Sequence, residues 1–488
     1  MNTYAKTGEG GLGIYIQVPF CQTKCTYCNF HTGVASPAAY APYARAVERE
    51  IRDWRALHAA AGLQSVNRLP LGNAAPVSCH SERSEESAFA LESAFALNVA
   101  PACPEQPVTG VVERKKGGSA RESHGHQELS RDNKDNTALF VPKQADTIYL
   151  GGGTPSLFDP ADLARILTAV HAQFPAADPI APSSSTRAAS TEVTLEADPE
   201  TITPEKAAAW LAVGINRISL GAQSFHDAEL KPAGRMHRRE DIFAAIAHLR
   251  AAGFANISLD LIAGLPYQTA TSWRASVEEA LRLRPEHISI YLFEVDEGSH
   301  LGRELLSGGS RYSAAAVPSD DAMADSYEFA CGRLREAGYD HYEISNWALP
   351  GFRSRHNLKY WRREPYLGFG AGAHSFDGRW RWANAHDPAA YATAIEQGRL
   401  PLEQLEEVTP KQALDEELFL GLRQLEGIDL ARIEAQYGAE FSADFKGTLG
   451  ARLDELSAQG LVERTGTRVR LAPARLAISN EVFVALLD

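Results

Sequence analysis

PFCQTKCTYCNF, residues 19–30, carries Cys21, Cys25 and Cys28 in the spacing CxxxCxxC. Three thiolates at this spacing can hold three irons of a [4Fe–4S] cluster and leave the fourth iron open to a small chelating ligand, whereas four cysteines would suit plain electron transfer. A structural zinc site with His31 as fourth ligand is one alternative, and a disulfide is another. The chain has only six cysteines in 488 residues, and its first residues lack the basic and apolar regions of a secretory signal. These features favour a cluster in a reduced cytosol.

The composition is that of a globular protein, with 44% hydrophobic and 23% charged residues. The net charge of −14 leaves no broad basic surface for nucleic acid. The sequence also lacks an apolar run of 18 residues, the usual sign of a membrane-spanning helix. We therefore expect a cytoplasmic protein that does not bind nucleic acid.

The hydrophobic pattern alternates between strands and helices along most of the chain. A helix is predicted at 38–60, directly after the cysteine loop. Strands are predicted at 14–18, 147–150, 192–196, 217–220, 256–262 and 287–293. Alternating strands and helices predict a parallel sheet. Six such units predict an α/β fold, a partial (β/α)6 barrel with its function at the carboxyl ends of the strands.

Two segments interrupt this pattern. Residues 63–144 are polar, show no sustained periodicity and contain a tandem repeat, ESAFALESAFAL, so we predict a mostly disordered insertion. Residues 176–190 form a smaller predicted insertion.

The pattern also predicts two domains. The barrel domain is predicted at 1–400, and a small C-terminal domain with helices and a two-stranded wing at 401–488. This second domain is of winged-helix type, but its acidic residues argue against DNA binding.

Polar and glycine residues mark the predicted strand ends. Gly151, Gly152 and Gly153 precede Thr154 in a GGGTP turn, where glycine allows close backbone approach to a ligand. Three further polar residues, each of which could also be a structural hydrogen-bonding group, lie on the next three strands: Glu196, Gln223 and Asp260. Together they predict a polar ring for a small ligand, and Arg235, near His237, could pair with a carboxylate.

These motifs resemble the radical SAM superfamily, and within it the group that contains oxygen-independent coproporphyrinogen III oxidases and the HemW heme chaperones. The resemblance rests on the three cysteines and on GGGTP, LEADP, GAQSF, GRMH and LDLIAGLP. It implies a radical SAM barrel followed by a C-terminal domain like that of the oxidase. It also implies one-electron reduction of the cluster and cleavage of S-adenosylmethionine to a radical that the protein shields.

The resemblance assigns residues to ligands. Cys21, Cys25 and Cys28 are implied as cluster ligands. Five residues are implied as contacts to S-adenosylmethionine: Tyr15, Gly152, Gly153, Thr154 and Glu196. Four more are implied near a second S-adenosylmethionine: Tyr27, Gln223, Arg235 and Asp260. No catalytic residue is assigned. Asp198, where asparagine is usual, and the pair Pro232 and Ala233 depart from the group's pattern near Arg235.

Two features distinguish the branches of this group. The oxidase has a fourth cysteine two residues after the third, where this chain has Phe30, and it has a long N-terminal extension that is not present before Cys21. Residues 356–361, HNLKYW, fit the HNxxYW signature of the chaperone branch. His356 is then a candidate heme ligand, with packing in a turn as the alternative, and His374 is a weaker candidate.

The resemblance therefore implies a heme chaperone with a [4Fe–4S] cluster, S-adenosylmethionine and heme as cofactors. The alternatives are an oxygen-independent coproporphyrinogen III oxidase, a dehydrogenase-like oxidoreductase of porphyrin biosynthesis, and a radical methyltransferase. Whether the chain is an enzyme stays open at this point. The implied partners are heme, heme-accepting apoproteins including membrane-associated ones, and a reductant protein such as flavodoxin or ferredoxin, for a monomer or homodimer.

Overall fold

The computed structural model describes residues 11–30, 32–61, 144–175 and 191–487. Both predicted insertions lie outside these ranges apart from Gln144, and so does His31, the alternative zinc ligand. Gln144 belongs to the folded part of the chain, because its carbonyl oxygen accepts a hydrogen bond from Leu12 N at 2.8 Å. The predicted insertion, at about 63–144, stays a prediction.

The described residues form strands and helices along their whole length. The strands are β1 (Leu12–Val18), β2 (Phe20–Cys21), β3 (Gly33–Val34), β4 (Ala145–Gly152), β5 (Glu192–Ala197), β6 (Arg217–Gln223), β7 (Ile257–Ala263), β8 (His287–Leu292), β9 (Asp340–Glu343), β10 (Asn346–Ala348), β11 (Tyr366–Phe369), β12 (His374–Phe376), β13 (Trp380–Asn384), β14 (Leu402–Glu407), β15 (Ile428–Asp429), β16 (Val462–Thr465) and β17 (Arg468–Leu471). The α-helices are α1 (Tyr40–Ala60), α2 (Pro160–Gln173), α3 (Pro204–Ala212), α4 (Asp227–Leu230), α5 (Arg239–Ala252), α6 (Ala270–Leu283), α7 (His300–Leu306), α8 (Asp320–Glu336), α9 (Arg355–Trp361), α10 (Pro388–Glu396), α11 (Pro410–Arg423), α12 (Leu430–Asp444), α13 (Gly450–Ala458) and α14 (Ser479–Leu487).

One large sheet organises the barrel domain. Its order is β14-β13-β12-β11-β1-β4-β5-β6-β7-β8-β10-β9, and the strands from β11 to β8 run parallel. The six predicted strands are confirmed as β1 and β4 to β8. A seventh parallel strand, β11, was not predicted, because it is short and lies far along the chain from its partner β1. In the described residues the sheet order does not close on itself, so the barrel is partial.

The parallel strands alternate between two environments. The outward residues are aliphatic and belong to the main hydrophobic core beneath the helices: Ile148, Leu150, Val193, Leu195, Ile218, Leu220, Leu259, Ile288 and Ile290. The residues between them are polar, and hydrogen bonds join several of them on neighbouring strands, such as Tyr149 to Glu196, Ser219 to Asp260 and Ser258 to His287. The polar residues on this face are Tyr149, Thr194, Glu196, Arg217, Ser219, Ser258, Asp260, His287 and Ser289. Barrel interiors are ordinarily packed with branched aliphatic residues. The polar interior of the barrel, called the chamber below, is therefore suited to a ligand with polar groups rather than to close apolar packing.

Capping residues mark the ends of several helices that follow the parallel strands. Asp159 Oδ1 accepts from Ala161 N at 2.8 Å at the start of α2, and Thr203 Oγ1 accepts from Lys206 N at 3.2 Å at the start of α3. Such caps contribute about 1 kcal/mol each. Gly253 follows α5 with a φ of 105°, a conformation that glycine adopts without strain.

The C-terminal part resembles its prediction closely. Helices α11 to α14 surround a small sheet in the order β15-β17-β16, so the predicted two-stranded wing has a third strand. A π-helical turn over Phe445–Leu449 joins α12 to α13. The predicted domain boundary between residues 400 and 401 stays a prediction, and the large sheet continues past it because β14 pairs with β13. Within the described ranges, none of the helices has the length and hydropathy that crossing a bilayer requires.

Candidate functional site

The cysteine loop follows β1 at the carboxyl ends of the parallel strands. Cys21 ends β2, and Cys25 and Cys28 share a turn in which Cys28 N donates to Cys25 O at 3.2 Å. Thr26 N donates to Ala233 O at 3.1 Å, which ties the loop to the segment after β6. All three thiols are half-buried. The loop is thus held over the mouth of the chamber by backbone bonds.

The thiols are suited to iron rather than to a free thiolate state. Burial raises the pKa of Cys28 to about 12, and it also raises the pKa of Cys21 above its ordinary value. A thiolate here needs a metal to offset the cost of its buried charge. In the described part of the chain, no three His, Cys, Asp or Glu side chains surround a single metal ion. A donor set of three separated thiols fits three irons of a cubane cluster.

The GGGTP turn closes against the cysteine loop. Gly153 N donates to Val18 O and Thr154 N to Phe20 O, both at 2.7 Å. A Cβ atom on Gly153 would lie 2.4 Å from Phe20 O and 3.0 Å from Cys21 Sγ, so only glycine fits there. The structure therefore brings the predicted turn into direct contact with the predicted cluster ligand.

Glu196 lies inside the chamber beside this turn. Its carboxylate accepts from Tyr149 Oη at 2.8 Å and from Gly152 N at 2.9 Å. Burial raises the pKa of Glu196 to about 7, although these two hydrogen bonds act in the opposite direction. A buried carboxyl group with a pKa near 7 is only partly ionised at neutral pH. An ammonium group that donates a hydrogen bond to this carboxyl group favours its ionised form.

Arg235 bridges the cysteine loop and the sheet. Its Nη1 lies 3.5 Å from Cys25 Sγ, and its Nη2 donates to Gly221 O at 2.9 Å and to Asp198. Asp198 also accepts from Thr154 Oγ1 at 3.0 Å. The departure from asparagine at position 198 thus gives Arg235 a charged partner and fixes its position at the mouth.

Gln223, Asp260 and Tyr27 lie at different levels of the same chamber. Gln223 has a φ of 65°, an unusual conformation for a residue with a side chain. Asp260 accepts from Ser219 at 3.1 Å, and burial raises its pKa. By strand register, Glu196 is level with Ser219 and Ser258, and Asp260 lies two residues further along β7, so the predicted ring is staggered. Tyr27 packs against a small hydrophobic cluster that includes Phe293.

Tyr15 occupies the interior of the barrel. Its hydroxyl donates to Gln17 Oε1 at 2.6 Å, and its ring stacks on Tyr149 with centroids 6.1 Å apart. Gln17 lies against the glycine turn, because a Cβ on Gly152 would be 2.7 Å from Gln17 Nε2. Sequence reasoning missed Gln17 and Tyr149, although both share the inward face with predicted residues at a spacing of two.

His356 lies at the opposite end of the barrel from the cysteines. It is 1% exposed, its Nδ1 bonds to Thr147 Oγ1 at 2.9 Å, and its Nε2 bonds to the Tyr360 hydroxyl at 2.8 Å. Burial lowers the pKa of His356 to about 3, so the ring is neutral. Both ring nitrogens are hydrogen-bonded, as the packing alternative predicts, and a heme-ligating role for His356 stays a prediction.

The whole HNxxYW segment closes the floor of the barrel. It forms α9, whose first backbone amides, those of Arg355 and His356, donate to Glu192 on β5. Lys359 Nζ, at 3% side-chain exposure, pairs with Asp146 Oδ1 at 2.8 Å. The structure thus gives the signature a role in sealing the chamber from below.

His374 is also apart from the cysteine loop. It is buried on β12, two strands from β1 and on the side away from the glycine turn. Its ring centroid is 6.4 Å from that of His386. The structure therefore does not bring either predicted heme ligand to the mouth.

Two protein-family profiles match parts of the chain. The profile of the radical SAM superfamily matches residues 119–280, and that of the HemN C-terminal domain matches 408–474. The first match begins after the three cysteines, so the cluster ligands rest on the site geometry and the motif.

Curated relatives match most of the chain. It is 34% identical over 341 residues to the heme chaperone HemW of Bacillus subtilis (strain 168), covering 70% of this chain and 85% of that protein. It is 33% identical over 344 residues to the heme chaperone HemW of Lactococcus lactis, with 70% and 85% covered.

A solved structure shares the fold. Coproporphyrinogen III oxidase (HemN) from Escherichia coli superposes with a TM-score of 0.67 at 21% identity, covering 99% of this chain and 92% of that one. At this identity the likeness supports the architecture of barrel plus C-terminal domain and carries no activity with it.

Proposed function

The chain belongs to the HemW heme chaperone family of the radical SAM superfamily, and from this premise we propose that it binds heme and passes it to acceptor proteins. The observation that carries the proposal is the cysteine loop closed over a polar chamber by Gly153 and Arg235. The chamber suits a small zwitterionic ligand, and the relatives that share the sequence are heme chaperones.

We propose that Cys21, Cys25 and Cys28 hold a [4Fe–4S] cluster, which supplies single electrons when reduced. Gly152 and Gly153 let the turn pack against Gln17 and the cysteine loop, which brings its backbone beside the thiols where S-adenosylmethionine would bind. The carboxylate of Glu196 can accept from the amino group of that ligand. Thr154 and Tyr15 support these positions through Asp198 and Gln17. Each residue acts here by orienting the ligand and excluding water.

A second ligand position, next to Arg235, Gln223, Asp260 and Tyr27, follows from the family and stays a proposal. Arg235 can pair with a carboxylate there, since its guanidinium has donors on more than one side. The hydrogen bond from Arg235 to Asp198 keeps the guanidinium oriented when the second ligand position holds no ligand.

Phe30 supports the chaperone over the oxidase. It replaces the fourth cysteine of the oxidase motif and lies directly beside the cysteine loop, where its carbonyl accepts from Thr32 N at 2.6 Å. We further propose heme-accepting apoproteins, including membrane-associated ones, and a flavodoxin or ferredoxin as partners. The proposed location is the cytoplasm.

The test uses full-length protein with its cluster reconstituted without oxygen. We expect heme to bind stably through gel filtration and to move to an added apo heme protein, as followed by visible spectroscopy. A matched variant with Cys21, Cys25 and Cys28 changed to Ala should lose the broad visible absorbance of the cluster. Heme that leaves the wild-type protein during gel filtration would contradict the proposal.

A further inference from the structure

Both histidines predicted to bind heme are buried, at 1% exposure for His356 and 8% for His374, whereas a heme surface needs an accessible imidazole. Among the histidines that the structure describes, the rings of His171 and His300 are exposed. His171 is on the outer helix α2, whereas His300 begins α7 in the segment after β8, at the mouth. We propose that heme binds on the α7 platform, defined as His300, Arg303, Leu306, Arg311 and Tyr312, with His300 as iron ligand. This inference rests on the proposed function.

Helix α7 presents three of these residues on one face. His300, Arg303 and Leu306 are spaced by three, which places them along one side of a helix. All three are exposed, and Leu306 is 59% exposed. An imidazole, a guanidinium and an apolar side chain thus share one outward surface.

Tyr312 extends this surface. Its ring stacks on that of His300 with centroids 5.4 Å apart and planes at 30°, and Arg311 lies over it at 5.7 Å. Tyr312 and Ser313 have φ values of 55° and 63°, which are strained conformations for residues with side chains. Strain of this kind is kept where the fold needs a side chain in one direction. Here it presents the phenol outward beside His300.

The platform is firmly supported from below. Leu301 and Phe293 belong to a small hydrophobic cluster separate from the main core, and Tyr27 of the cysteine loop packs against it. Leu301 N donates to Thr26 O at 2.8 Å, so α7 is bonded directly to the cysteine loop. The helix that carries the platform is therefore anchored to the cysteine loop.

Exposed apolar side chains are concentrated on this side of the barrel. In the described residues seven large hydrophobic side chains are exposed, and five follow β6, β7 or β8: Met236, Tyr267, Val295, Leu306 and Tyr312. Tyr267 N donates at 2.8 Å to Ala316 O, in the segment that follows Tyr312. Exposed apolar groups clustered in one place mark a binding surface.

The chemistry of the platform matches heme in three respects. Imidazole is a common axial ligand of heme iron. The heme macrocycle is flat and apolar, so it can pack against the exposed side chains of Leu306 and Tyr312. The propionates need cations, and Arg303 and Arg311 are both exposed.

The bond between Arg303 and His300 also suits this ligand. Arg303 Nη2 donates to His300 Nδ1 at 3.0 Å, and since arginine only donates, Nδ1 accepts through its lone pair, which points toward the guanidinium. Iron that takes this lone pair frees the Arg303 donor, which then lies beside a propionate. Without heme, Arg303 keeps the imidazole in place.

The experiment compares heme with iron-free protoporphyrin IX on the cluster-loaded full-length protein, by visible titration. His300→Ala should weaken heme binding by more than about tenfold, since loss of a supporting group alone costs that much at metal sites, and should change the axial-ligand spectrum. It should leave protoporphyrin IX binding unchanged. His171→Ala, the exposed control, should bind both as the wild type does.

Arg303→Gln and Arg311→Gln should weaken both tetrapyrroles by about two- to fivefold each, the worth of exposed ion pairs. Cluster absorbance reports the fold of each variant, and if His300→Ala loses it, His300→Gln takes its place. If the wild-type protein binds heme and the His300 variant binds it with the same affinity and spectrum, His300 is not the ligand. That result would overturn heme binding at the platform but would leave the proposed function standing. Wild-type protein that does not bind heme would overturn the proposed function itself.

Discussion

At the scale of single residues, the site depends on close approach between Gly153 and Cys21. We expect Gly153→Ala to abolish cluster loading, because its Cβ would meet Phe20 O at 2.4 Å, a distance that backbone atoms cannot relieve locally. The measurement is iron content and visible absorbance after reconstitution.

Gly332→Ala is the matched control for Gly153→Ala. Gly332 is within helix α8 with no atom within 4 Å of a built Cβ, so alanine there should load normally and stabilise the fold by about 0.5–1 kcal/mol. Normal iron content in Gly153→Ala would show that the turn does not border the cluster.

His356 gives a second prediction at this scale. Removing its ring leaves the Thr147 and Tyr360 hydroxyls unpaired and a cavity among aromatic rings. We expect His356→Ala to lower the free energy of unfolding by about 2–4 kcal/mol while heme binding is retained, as checked by urea unfolding and heme titration. An unchanged stability with loss of heme binding would instead make His356 a ligand.

Single residues also show how far sequence reasoning reached. The motif predicted Gly153, Glu196 and Arg235, because their spacing from strand ends is visible in the chain. The partnership of Asp198 with Arg235 was not predictable, since it joins residues on different strands. The floor position of His356 depends on where α9 packs, and no local pattern encodes that.

At the scale of elements, the Glu50 side chain links four parts of the fold: α1, α10, β13 and the segment after β11. From α1 its carboxylate accepts from Tyr391 Oη of α10 at 2.6 Å, from Asn384 Nδ2 of β13 at 2.7 Å, and from Gly370 N after β11 at 2.9 Å. Burial raises the pKa of Glu50 to about 7. This network joins α1 to α10, to β13 and to the residue that follows β11.

The raised pKa gives Glu50 a pH signature. Between pH of about 4 and 7 the unfolded chain ionises this carboxyl while the folded chain keeps its proton, so stability falls as the pH rises, by roughly 3 kcal/mol in all. We expect Glu50→Gln to gain stability relative to the wild type as the pH rises from 5 to 8. The measurement is the free energy of unfolding in urea at both pH values.

The control for this change is Glu396→Gln at an exposed glutamate of α10, which should follow the wild type at both pH values. A Glu50→Gln difference that is the same at pH 5 and 8 would contradict a raised pKa in the folded chain.

Elements were predicted best where their pattern is local. Strands β4 to β8 alternate with helices, and residues such as Asp159 and Thr203 cap these helices. The order of these strands and helices could therefore be predicted from the local sequence. Strand β11 is four residues long and pairs with β1 across more than three hundred residues. Its place in the sheet comes from tertiary contacts such as those of Glu50.

At the scale of the whole molecule, the barrel and C-terminal part should fold without the predicted insertion. We expect replacement of residues 63–143 by a flexible Gly/Ser bridge of about ten residues to retain cluster absorbance. The shorter loop should stabilise the fold by about 1–2 kcal/mol, as measured by thermal unfolding. Gln144 is kept because it bonds to Leu12. Insoluble protein would show that the segment is structural.

The central claim is that this chain handles heme already made rather than making its precursor. The most direct measurement offers coproporphyrinogen III, S-adenosylmethionine and a reductant to cluster-loaded protein without oxygen, with a parallel sample given heme, and separates the tetrapyrroles by chromatography. We predict that heme is recovered intact and bound to protein, and that coproporphyrinogen III is unchanged. Repeated turnover to protoporphyrinogen IX would contradict the account.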